Sequence, residues 1–418
     1  MDSADAVVVG LGVTGLATAV AMAETGLRVV GVDSSAERVR AVVSMSSGCG
    51  LGVVREGELR RVLERGLLEV RDVAAGLPHG DVVVLCLPTP VDHTGRLDVR
   101  PLVDGCRVVG SVLRPGGLVI VQSTVPPGTT ERWVVPALGE ASRMRAGVDF
   151  HVACAPSRLD PGSPASAMAP RVVGGYTGRC AGRAGRFLRG LGLEVVEVSG
   201  TGVAELVKVF ENTFRLVNIS LVNELAAVCG EVGLDVDEVV GAAGSKGFGF
   251  LGHRPSAGAG GDCVPVAARV LGDLARRVGV SSPVVDSAVA VNDAMPAHTV
   301  HRLRRAVGGS LAGRRVLVLG VTYKPDVPDV RRSAAIAVLE ELRRETEVAF
   351  HDPYVDRIEL AGGTTLRAVD PRRADRFDLV VVMTPHTAYR DVGAWPARVF
   401  DCSSGHPVAR VADVRVAA

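Results

Sequence analysis

A glycine-rich turn between two apolar runs, close to the start of the chain, limits the fold more than any other feature. The segment AVVVGLGVTGLATAVAMAETGLRVVGVDSS carries the pattern GxGxxG at Gly10, Gly12 and Gly15, and its second apolar run ends in Asp33. Such glycines let a pyrophosphate approach the backbone at a helix N-terminus, and such an acid accepts hydrogen bonds from ribose hydroxyls. The order predicts a dinucleotide-binding α/β fold, with a βα turn that binds no ligand as the alternative. No arginine directly follows Asp33, which favours NAD over NADP.

Composition narrows the class of protein. The 418 residues are 47% hydrophobic, which is enough for a sizeable core and two or three domains. The 47 basic and 46 acidic residues nearly cancel, so small molecules or copies of the chain are more suitable partners than nucleic acid or an anionic membrane. Eight cysteines show no CxxC pair and no zinc spacing, which predicts neither a disulfide framework nor a metal site and fits a reducing cytoplasm.

The uncharged run at residues 6–23 has almost the length of a membrane span. Glycines and threonines interrupt it, however, and no basic segment precedes it as in a signal peptide. We therefore interpret the run as a buried strand, a turn and a helix.

Two further predicted strands end in loops rich in threonine and proline. DVVVLCL, residues 81–87, is followed by Thr89, and LVIVQS, residues 118–123, is followed by Thr124. Because an open α/β sheet binds its ligand at the carboxyl edge of the strands, both threonines are candidates to contact cofactor or substrate. Ordinary turn threonines are the alternative.

A long helix is predicted over residues 201–240, because apolar residues recur there at helical spacing with little glycine or proline. Lys208 and Asn212 are four residues apart and share one face, with Glu205 one turn further out. Lysine occurs only three times, at 208, 246 and 324, which points to sites that need a compact ammonium. A solvated polar stripe is the alternative.

The opening pattern returns after about residue 312. One apolar run ends at Gly320, another ends at Asp352, and DLVVVMTP at 378–385 repeats the character of DVVVLCLPTP at 81–90. This predicts a second α/β domain, but one without a full GxGxxG and therefore without a second dinucleotide. Its ligand is expected to face the first domain across a cleft, near Lys324.

Between these two regions lies RPSAGAGGDCVPVAA, residues 254–268. Cys263 behind a run of glycines suggests a nucleophile on a backbone cradle. A glycine-rich turn with a buried thiol is the other interpretation.

Taken together, the chain resembles the nucleotide-sugar 6-dehydrogenases, the UDP-glucose/GDP-mannose dehydrogenase family. The resemblance covers nearly the whole chain and rests on motifs in a fixed order: VVGLGVTGL, CLPTP, STVPPGTT, ELVKVFENTFRLVNISLVNEL, GAGGDCVP, LGVTYKPDVPDVRRS and HDPYV. The segments KGFGF, ENTFRLVNISLVNEL and SRLDPG look most like the UDP-N-acetylglucosamine branch.

The resemblance implies an architecture. It is an α/β fold with two Rossmann-like domains, a long central helix and a helical dimerisation region. The expected domains are an NAD-binding domain at 1–200, a central helical domain with the cysteine loop at 201–300, and a UDP-binding domain at 301–418. The apolar helical stretch at 214–228 is expected to pack against a second subunit in a homodimer.

The resemblance also implies a chemistry: two NAD molecules in turn oxidise the C6 alcohol of a nucleotide sugar to an aldehyde and then to a carboxylate, through a thiohemiacetal and a thioester on a cysteine. Its implied catalytic residues are Cys263, Lys208, Asn212 and Thr124. Its implied cofactor contacts are Gly10, Gly12, Thr14, Gly15, Asp33, Arg38, Thr89, Thr124 and Arg331. Its implied substrate contacts are Arg158, Leu159, Lys208, Asn212, Gly258, Gly260, Gly261 and Lys324. No metal is implied.

Three positions depart from the family pattern. Ser157 and Ala267 replace carboxylates associated with proton transfer, and Asp262 directly precedes the cysteine. Losing a positioned general base costs roughly 10²–10⁴-fold in rate. Three outcomes stay open: an acid-forming enzyme in which Asp262, Asp160 or a water substitutes, an enzyme that stops at the aldehyde, and a binding protein without catalysis. A hydroxy-acid dehydrogenase would share the first domain but would have no use for the second α/β domain or the cysteine loop.

Overall fold

The computed structural model describes residues 3–46, 53–91, 97–161, 163, 166, 169–389 and 398–402. The chain forms two compact units, Met1–Glu211 and Asn212–Ala418. Both units are built on a parallel sheet covered by helices, so the predicted α/β class with two Rossmann-like domains is confirmed.

An eight-stranded sheet forms the centre of the first unit. Its spatial order is β3-β2-β1-β4-β5-β6-β7-β8. All neighbouring strands are parallel except the antiparallel pair β6–β7. The strands are β1 (Ser3–Val9), β2 (Val29–Asp33), β3 (Leu68–Asp72), β4 (His79–Leu85), β5 (Leu118–Val121), β6 (His151–Cys154), β7 (Arg171–Gly175) and β8 (Val195–Val198).

The helices of this unit are α1 (Val13–Glu24), α2 (Ala36–Val43), α3 (Glu56–Glu64), α4 (Arg100–Val112), α5 (Val135–Ser142) and α6 (Gly178–Gly190). A 3₁₀ turn occupies Val73–Ala75, and a π turn at Thr130–Val134 leads into α5. Helix α7 (Thr201–Val232) begins in the first unit and ends in the second.

Alternate residues of the valine-rich strands face two separate cores. Val8 on β1 packs with α1, α3 and α6, as represented by Leu16 and Leu188. Val7, its neighbour, packs on the other face with α4 and α5, as represented by Leu102. Burial on both faces explains why these strands are almost continuously apolar instead of alternating with polar residues. Each fully buried large apolar side chain contributes about 1.5–3 kcal/mol.

The second unit contains a smaller sheet of four parallel strands in the order β10-β9-β13-β14. Its helices are α8 (Val236–Gly244), α9 (Val264–Arg277), α10 (Pro283–Ala306) and α11 (Ala334–Leu342). Its strands are β9 (Arg315–Leu319), β10 (Glu347–His351), β13 (Leu379–Val382) and β14 (Arg398–Asp401), with an antiparallel pair formed by β11 (Arg357–Glu359) and β12 (Thr365–Arg367).

One face of this sheet packs against α10 and α11, as Val318 and Leu339 show. The opposite face carries Leu317 and is covered by the 3₁₀ segments Pro371–Arg376 and Thr387–Tyr389.

The structure corrects the length of the central helix. The predicted single helix over 201–240 ends at Val232, because Gly233 adopts φ +75°, where a side chain would be strained. Asp235 then caps a separate helix, α8, by accepting from the N–H groups of Asp237 and Glu238. Within the described residues, none of the helices combines the length and the apolar character that a membrane span requires.

Candidate active site

The glycine-rich turn has the shape that a dinucleotide needs. Gly10 adopts φ +93°, and a Cβ there would lie 2.5 Å from the carbonyl oxygen of Cys86. A Cβ on Gly15 would lie 1.7 Å from the Gly10 carbonyl oxygen. A Cβ on Gly12 would meet no atom within 4 Å. Packing therefore demands glycine at 10 and 15, whereas at 12 the space outside the backbone is open, as the approach of a pyrophosphate requires.

Asp33 and Arg38 hold this turn in place. The Leu11 N–H donates to Asp33 Oδ2 at 2.7 Å, and the Ser35 N–H donates to Asp33 Oδ1 at 2.9 Å. Arg38 Nε donates to the Leu11 carbonyl at 2.8 Å. Each carboxylate oxygen of Asp33 keeps a second lone pair, so the acid can position the turn and still accept from a ribose hydroxyl. Thr14 lies in the first turn of α1, among the N–H groups that a helix start leaves for a ligand.

The different surroundings of these glycines give a paired prediction. We expect Gly12→Ala to fold with nearly unchanged thermal stability and to bind NAD at least about tenfold more weakly, because the methyl group occupies the ligand's side of the turn. Gly15→Ala should lose several kcal/mol of stability, because its Cβ would overlap a backbone carbonyl. Thermal melts with and without NAD separate the two effects. Equal melting losses for both variants would contradict this assignment.

The loops after β4 and β5 meet at the same sheet edge as the glycine turn, because β1, β4 and β5 are parallel neighbours. Thr89 Oγ1 donates to the carbonyl oxygen of Thr124 at 2.8 Å. Ser123 Oγ donates to the Leu87 carbonyl at 2.7 Å. Thr89 therefore links the two loops, and Thr124 is part of a fixed loop instead of an independent turn.

Glu205 anchors the same loop from α7, a role that the sequence did not reveal. Its Oε2 accepts from the Gly128 N–H at 2.6 Å and its Oε1 from the Thr130 N–H at 2.7 Å. Burial raises the pKa of this carboxyl group, while the hydrogen bonds from Thr130 and Gly128 lower it. The helix that carries Lys208 is thereby joined to the loop that carries Thr124.

The polar side chains of α7 are not solvated. Glu205 is 1%, Lys208 9% and Asn212 6% exposed, so the interpretation as a solvated stripe is wrong. Asn212 Nδ2 is buried and has no hydrogen-bond partner among the described residues. An orphaned buried donor of this kind is expensive unless a ligand accepts from it.

The segment after β6 reaches the same edge of the first sheet. Arg158 forms an ion pair with Glu211 and donates from Nη1 to the Pro170 carbonyl at 2.8 Å. Ser157 Oγ accepts from the Leu159 N–H at 3.2 Å and thus acts as a turn cap. A hydroxyl in this role does not replace a general base.

In the second unit, Cys263 is the residue that precedes the first turn of α9, and its side chain is exposed. Helix N-termini favour a thiolate over a thiol. The other described cysteines are buried or half-buried, and burial raises the pKa of Cys86, Cys106 and Cys402 to about 12. Cys49 lies outside the described residues. Among the described thiols, Cys263 is the one that is exposed, and it lies at a helix start, so the buried-thiol interpretation is wrong for it.

Two buried asparagines hold the glycine loop that leads to Cys263, and neither was singled out from the sequence. Asn223 Oδ1 accepts from the Ser256 N–H at 2.8 Å. Asn292 Oδ1 accepts from the Ala259 N–H at 2.7 Å, and Asn292 Nδ2 donates to the Ala259 carbonyl at 3.3 Å. Gly258, at φ +122°, lies between these two attachments, where a side chain would be strained.

The end of the cysteine loop rests on the segment after β9. The Gly261 N–H donates to the Arg331 carbonyl at 3.0 Å, and a Cβ on Gly260 would lie 2.7 Å from the Arg332 carbonyl oxygen. Lys324 belongs to this same segment, and Thr322 Oγ1 donates to its carbonyl at 3.1 Å. Asp326 adopts the left-handed backbone region at φ +58°, a strained conformation that clusters at functional sites.

A glycine and an acid at the second sheet are arranged as Gly10 and Asp33 are at the first, but at the second sheet a histidine covers the acid. Gly320 adopts φ +80° against the Thr384 carbonyl, and Asp352 Oδ2 accepts from the Val321 N–H at 2.7 Å, as Asp33 does from Leu11. The fully buried His386 contacts Asp352 Oδ2 through Nε2 at 3.0 Å. Burial opposes ionisation of Asp352, yet His386 and the backbone donors hold its pKa below the usual value.

The His386 side chain thus occupies Asp352 Oδ2, the oxygen that would otherwise accept from a ribose hydroxyl. Its Nδ1 accepts from the Asp326 N–H at 2.9 Å, so the ring also holds the Lys324 segment. No group of three or more histidine, cysteine or acidic side chains in the described part of the chain could hold a metal ion.

Comparison with known proteins finds one family that matches in three successive parts of the chain. Residues 4–189 match the NAD binding domain of the UDP-glucose/GDP-mannose dehydrogenase family, residues 202–294 match its central domain, and residues 317–408 match its UDP binding domain. The predicted cofactor, NAD, and the predicted oxidoreductase class are confirmed at this level.

Individual relatives match over nearly full length. The chain is 30% identical to a UDP-N-acetyl-D-glucosamine 6-dehydrogenase from Salmonella typhi, covering 96% of this chain and 94% of that protein. It is 32% identical to a UDP-N-acetyl-D-mannosamine dehydrogenase from Pyrococcus horikoshii, covering 92% and 90%. The solved structure of a UDP-D-ManNAc dehydrogenase from P. horikoshii superposes with a TM-score of 0.85 at 28% identity, covering 98% of both chains. The chain therefore belongs to the UDP-glucose/GDP-mannose dehydrogenase family.

Proposed function

We propose that this protein oxidises the C6 hydroxymethyl group of a UDP-sugar to the uronic acid, with NAD as oxidant and Cys263 as nucleophile. The observation that carries the proposal is the exposed Cys263 thiol at the start of α9, in a chain that matches the NAD binding and UDP binding domains of its family. A substrate of the UDP-N-acetylglucosamine type is favoured by the S. typhi relative and by the motifs KGFGF and SRLDPG, with a UDP-glucose type as the alternative.

The first unit fits the dinucleotide. Gly10, Gly12 and Gly15 would receive its pyrophosphate, and Asp33 would accept from its ribose. NAD supplies the hydride acceptor for each of the two oxidations. This chain contributes the fixed turn, the helix N-terminus of α1 and the linked loops of Thr89 and Thr124.

The covalent steps belong to Cys263. The thiolate adds to the C6 aldehyde and forms a C–S bond as the C=O π bond opens; the resulting alkoxide at O6 takes up a proton to give the thiohemiacetal hydroxyl. Loss of a hydride from C6 and of that hydroxyl proton gives the thioester. Attack by water at C6 then breaks the C–S bond and releases the carboxylate and the thiol.

The remaining catalytic residues are assigned through the family pattern. Lys208 and the unpaired Asn212 Nδ2 stabilise the negative charge that develops on O6, and Thr124 orients the water. A preorganised donor at such a position is worth about 10²–10³-fold in rate.

The missing carboxylates favour a second candidate outcome, in which oxidation stops at the aldehyde. Ser157 is a turn cap and Ala267 is an alanine buried in α9, so neither can activate the hydrolytic water. The carboxylate of Asp262 is already engaged by the guanidinium groups of Arg331 and Arg332, so it is not placed as a free base. The acid-forming reaction then depends on Thr124 and a water, or on Asp160.

Counting NADH per sugar consumed distinguishes these outcomes. The protein is incubated with excess NAD and limiting UDP-N-acetylglucosamine, UDP-N-acetylmannosamine or UDP-glucose, and products are identified by mass spectrometry. About two NADH per sugar supports the uronic acid, about one supports the aldehyde, and none with any UDP-sugar overturns the proposal in favour of a binding protein. Turnover on small hydroxy acids would indicate the unrelated dehydrogenase class.

We further propose that the protein is a homodimer that pairs through α7. Phe214, Leu221, Val228 and Val232 are all exposed and recur on one helix face. An exposed apolar stripe of this length is typical of an interface.

The dimer proposal has a direct test. Leu221→Arg is expected to shift the sedimentation mass from dimer to monomer, because it places a charge at the centre of the stripe. Val148→Arg, an equally exposed position in the first unit, serves as the matched control and should leave the mass unchanged. A monomeric wild-type protein at micromolar concentration would refute the proposal.

A further inference from the structure

Asp262 introduces a negative charge one residue before the proposed nucleophile. It directly precedes Cys263 in the chain, and a carboxylate beside a thiol disfavours the thiolate. The start of α9 has the opposite effect, because a helix N-terminus favours negative charge. The net reactivity of Cys263 therefore depends on what compensates the charge of Asp262.

Arg331 provides that compensation in the second unit. Its Nη1 donates to Asp262 Oδ2 at 2.6 Å, and its Nε and Nη2 donate to Asp329 at 2.5–3.0 Å. Arg332 adds a longer contact from Nε to Asp262 Oδ1 at 3.4 Å. The hydrogen bonds of Asp329 hold the pKa of Arg331 above its usual value, so its charge is permanent. The charged and titratable groups at this point are Asp262, Asp329, Arg331, Arg332 and Tyr323.

A main-chain hydrogen bond also joins the Arg331 segment to the loop that carries Asp262 and Cys263. The Gly261 N–H donates to the carbonyl of Arg331 itself, so the arginine holds both the side chain and the main chain of the cysteine loop. The backbone of Arg332 lies in the left-handed region at φ +50°. With this bend in the chain, the consecutive side chains of Arg331 and Arg332 both contact Asp262. An isolated exposed ion pair contributes little, but here four charged side chains form one network next to a main-chain hydrogen bond between Gly261 and Arg331.

We propose that Arg331 is a positioning residue that keeps Cys263 reactive by neutralising Asp262. This inference rests on Cys263 being the nucleophile of the proposed function. This role differs from the cofactor contact that the resemblance implies for Arg331, because here the arginine affects the thiol before any ligand is bound.

The test measures the alkylation rate of Cys263 by iodoacetamide at neutral pH, with the modified peptide identified by mass spectrometry. Arg331→Met should slow alkylation about fivefold, because it leaves an uncompensated carboxylate next to the thiol. Asp262→Asn alone should raise the rate about twofold or more, because the arginine charge then acts on the thiolate. The double variant Arg331→Met with Asp262→Asn should return to within about twofold of wild type.

Rescue in the double variant is the decisive result, since loss of structure would not be repaired by a second substitution. A double variant as slow as Arg331→Met, or a slower rate in Asp262→Asn, overturns the proposal. The ion pair between Arg269 on α9 and Asp293 on α10 provides a matched control, and Asp293→Asn should leave the rate unchanged. Alkylation needs neither NAD nor sugar, so a failure of the proposed function in NADH counting does not affect this readout.

Discussion

Replacing Cys263 with alanine is expected to abolish formation of the uronic acid, with a loss of at least about 10³-fold. Without sulfur, no thioester can form, and the second oxidation has no covalent intermediate. The first oxidation needs no bond to sulfur, so the variant should release aldehyde and about one NADH per sugar. The measurement is product identification together with NADH stoichiometry on the UDP-sugar that the wild-type protein uses.

Cys106→Ala is a suitable control for this experiment. Cys106 is buried in the core that the first sheet forms with α4 and α5. The change should cost about 1 kcal/mol of stability without altering the products. Unchanged uronic acid output from Cys263→Ala would contradict the nucleophile assignment. Loss of activity in both variants would point to a general effect of thiol removal instead.

Lys208→Met should lower the turnover number by about 10²–10³-fold while leaving the fold intact. Lys208 is 9% exposed, and methionine has a similar volume without the charge, so we expect the variant to fold. Loss of the ammonium removes the proposed stabilisation of charge on O6, which affects turnover more than substrate binding. Steady-state kinetics and a thermal melt test both parts of this prediction.

Arg28→Met removes a charge from an exposed arginine that pairs with Asp5 at the surface of the first unit. It should leave turnover unchanged and thereby shows that charge removal alone is harmless. If Lys208→Met folds and retains turnover, the assignment of Lys208 as the cation is wrong.

The sequence predicts the parts of the fold that local chemistry determines. The glycine turn, the continuous apolar strands and the acid at the end of β2 each follow from short patterns, and the structure has them in place. The helix boundary at Val232 was missed, because the apolar periodicity runs past Gly233 and only its positive φ ends the helix.

Long-range hydrogen bonds account for most of what the sequence could not predict. Glu205 was noticed only as a neighbour on a helix face, although it caps a loop 75 residues earlier in the chain. Asn223 and Asn292 bind the same loop from two different helices, and His386 reaches Asp352 across the second sheet. A single buried polar residue carries no periodic signal, so its partner becomes evident only when the chain is folded.

The closure of Asp352 by His386 has a consequence for the order of events in the proposed reaction. Among the described residues, Asp33 at the first sheet keeps lone pairs for a ribose, whereas Asp352 at the second sheet is engaged by His386, so we expect a molecule of this protein to accommodate one coenzyme at a time. A reaction that removes two electron pairs must then exchange spent coenzyme for fresh coenzyme halfway through. The bond to sulfur gives the half-oxidised sugar a tether during that exchange, which keeps a reactive aldehyde from diffusing away.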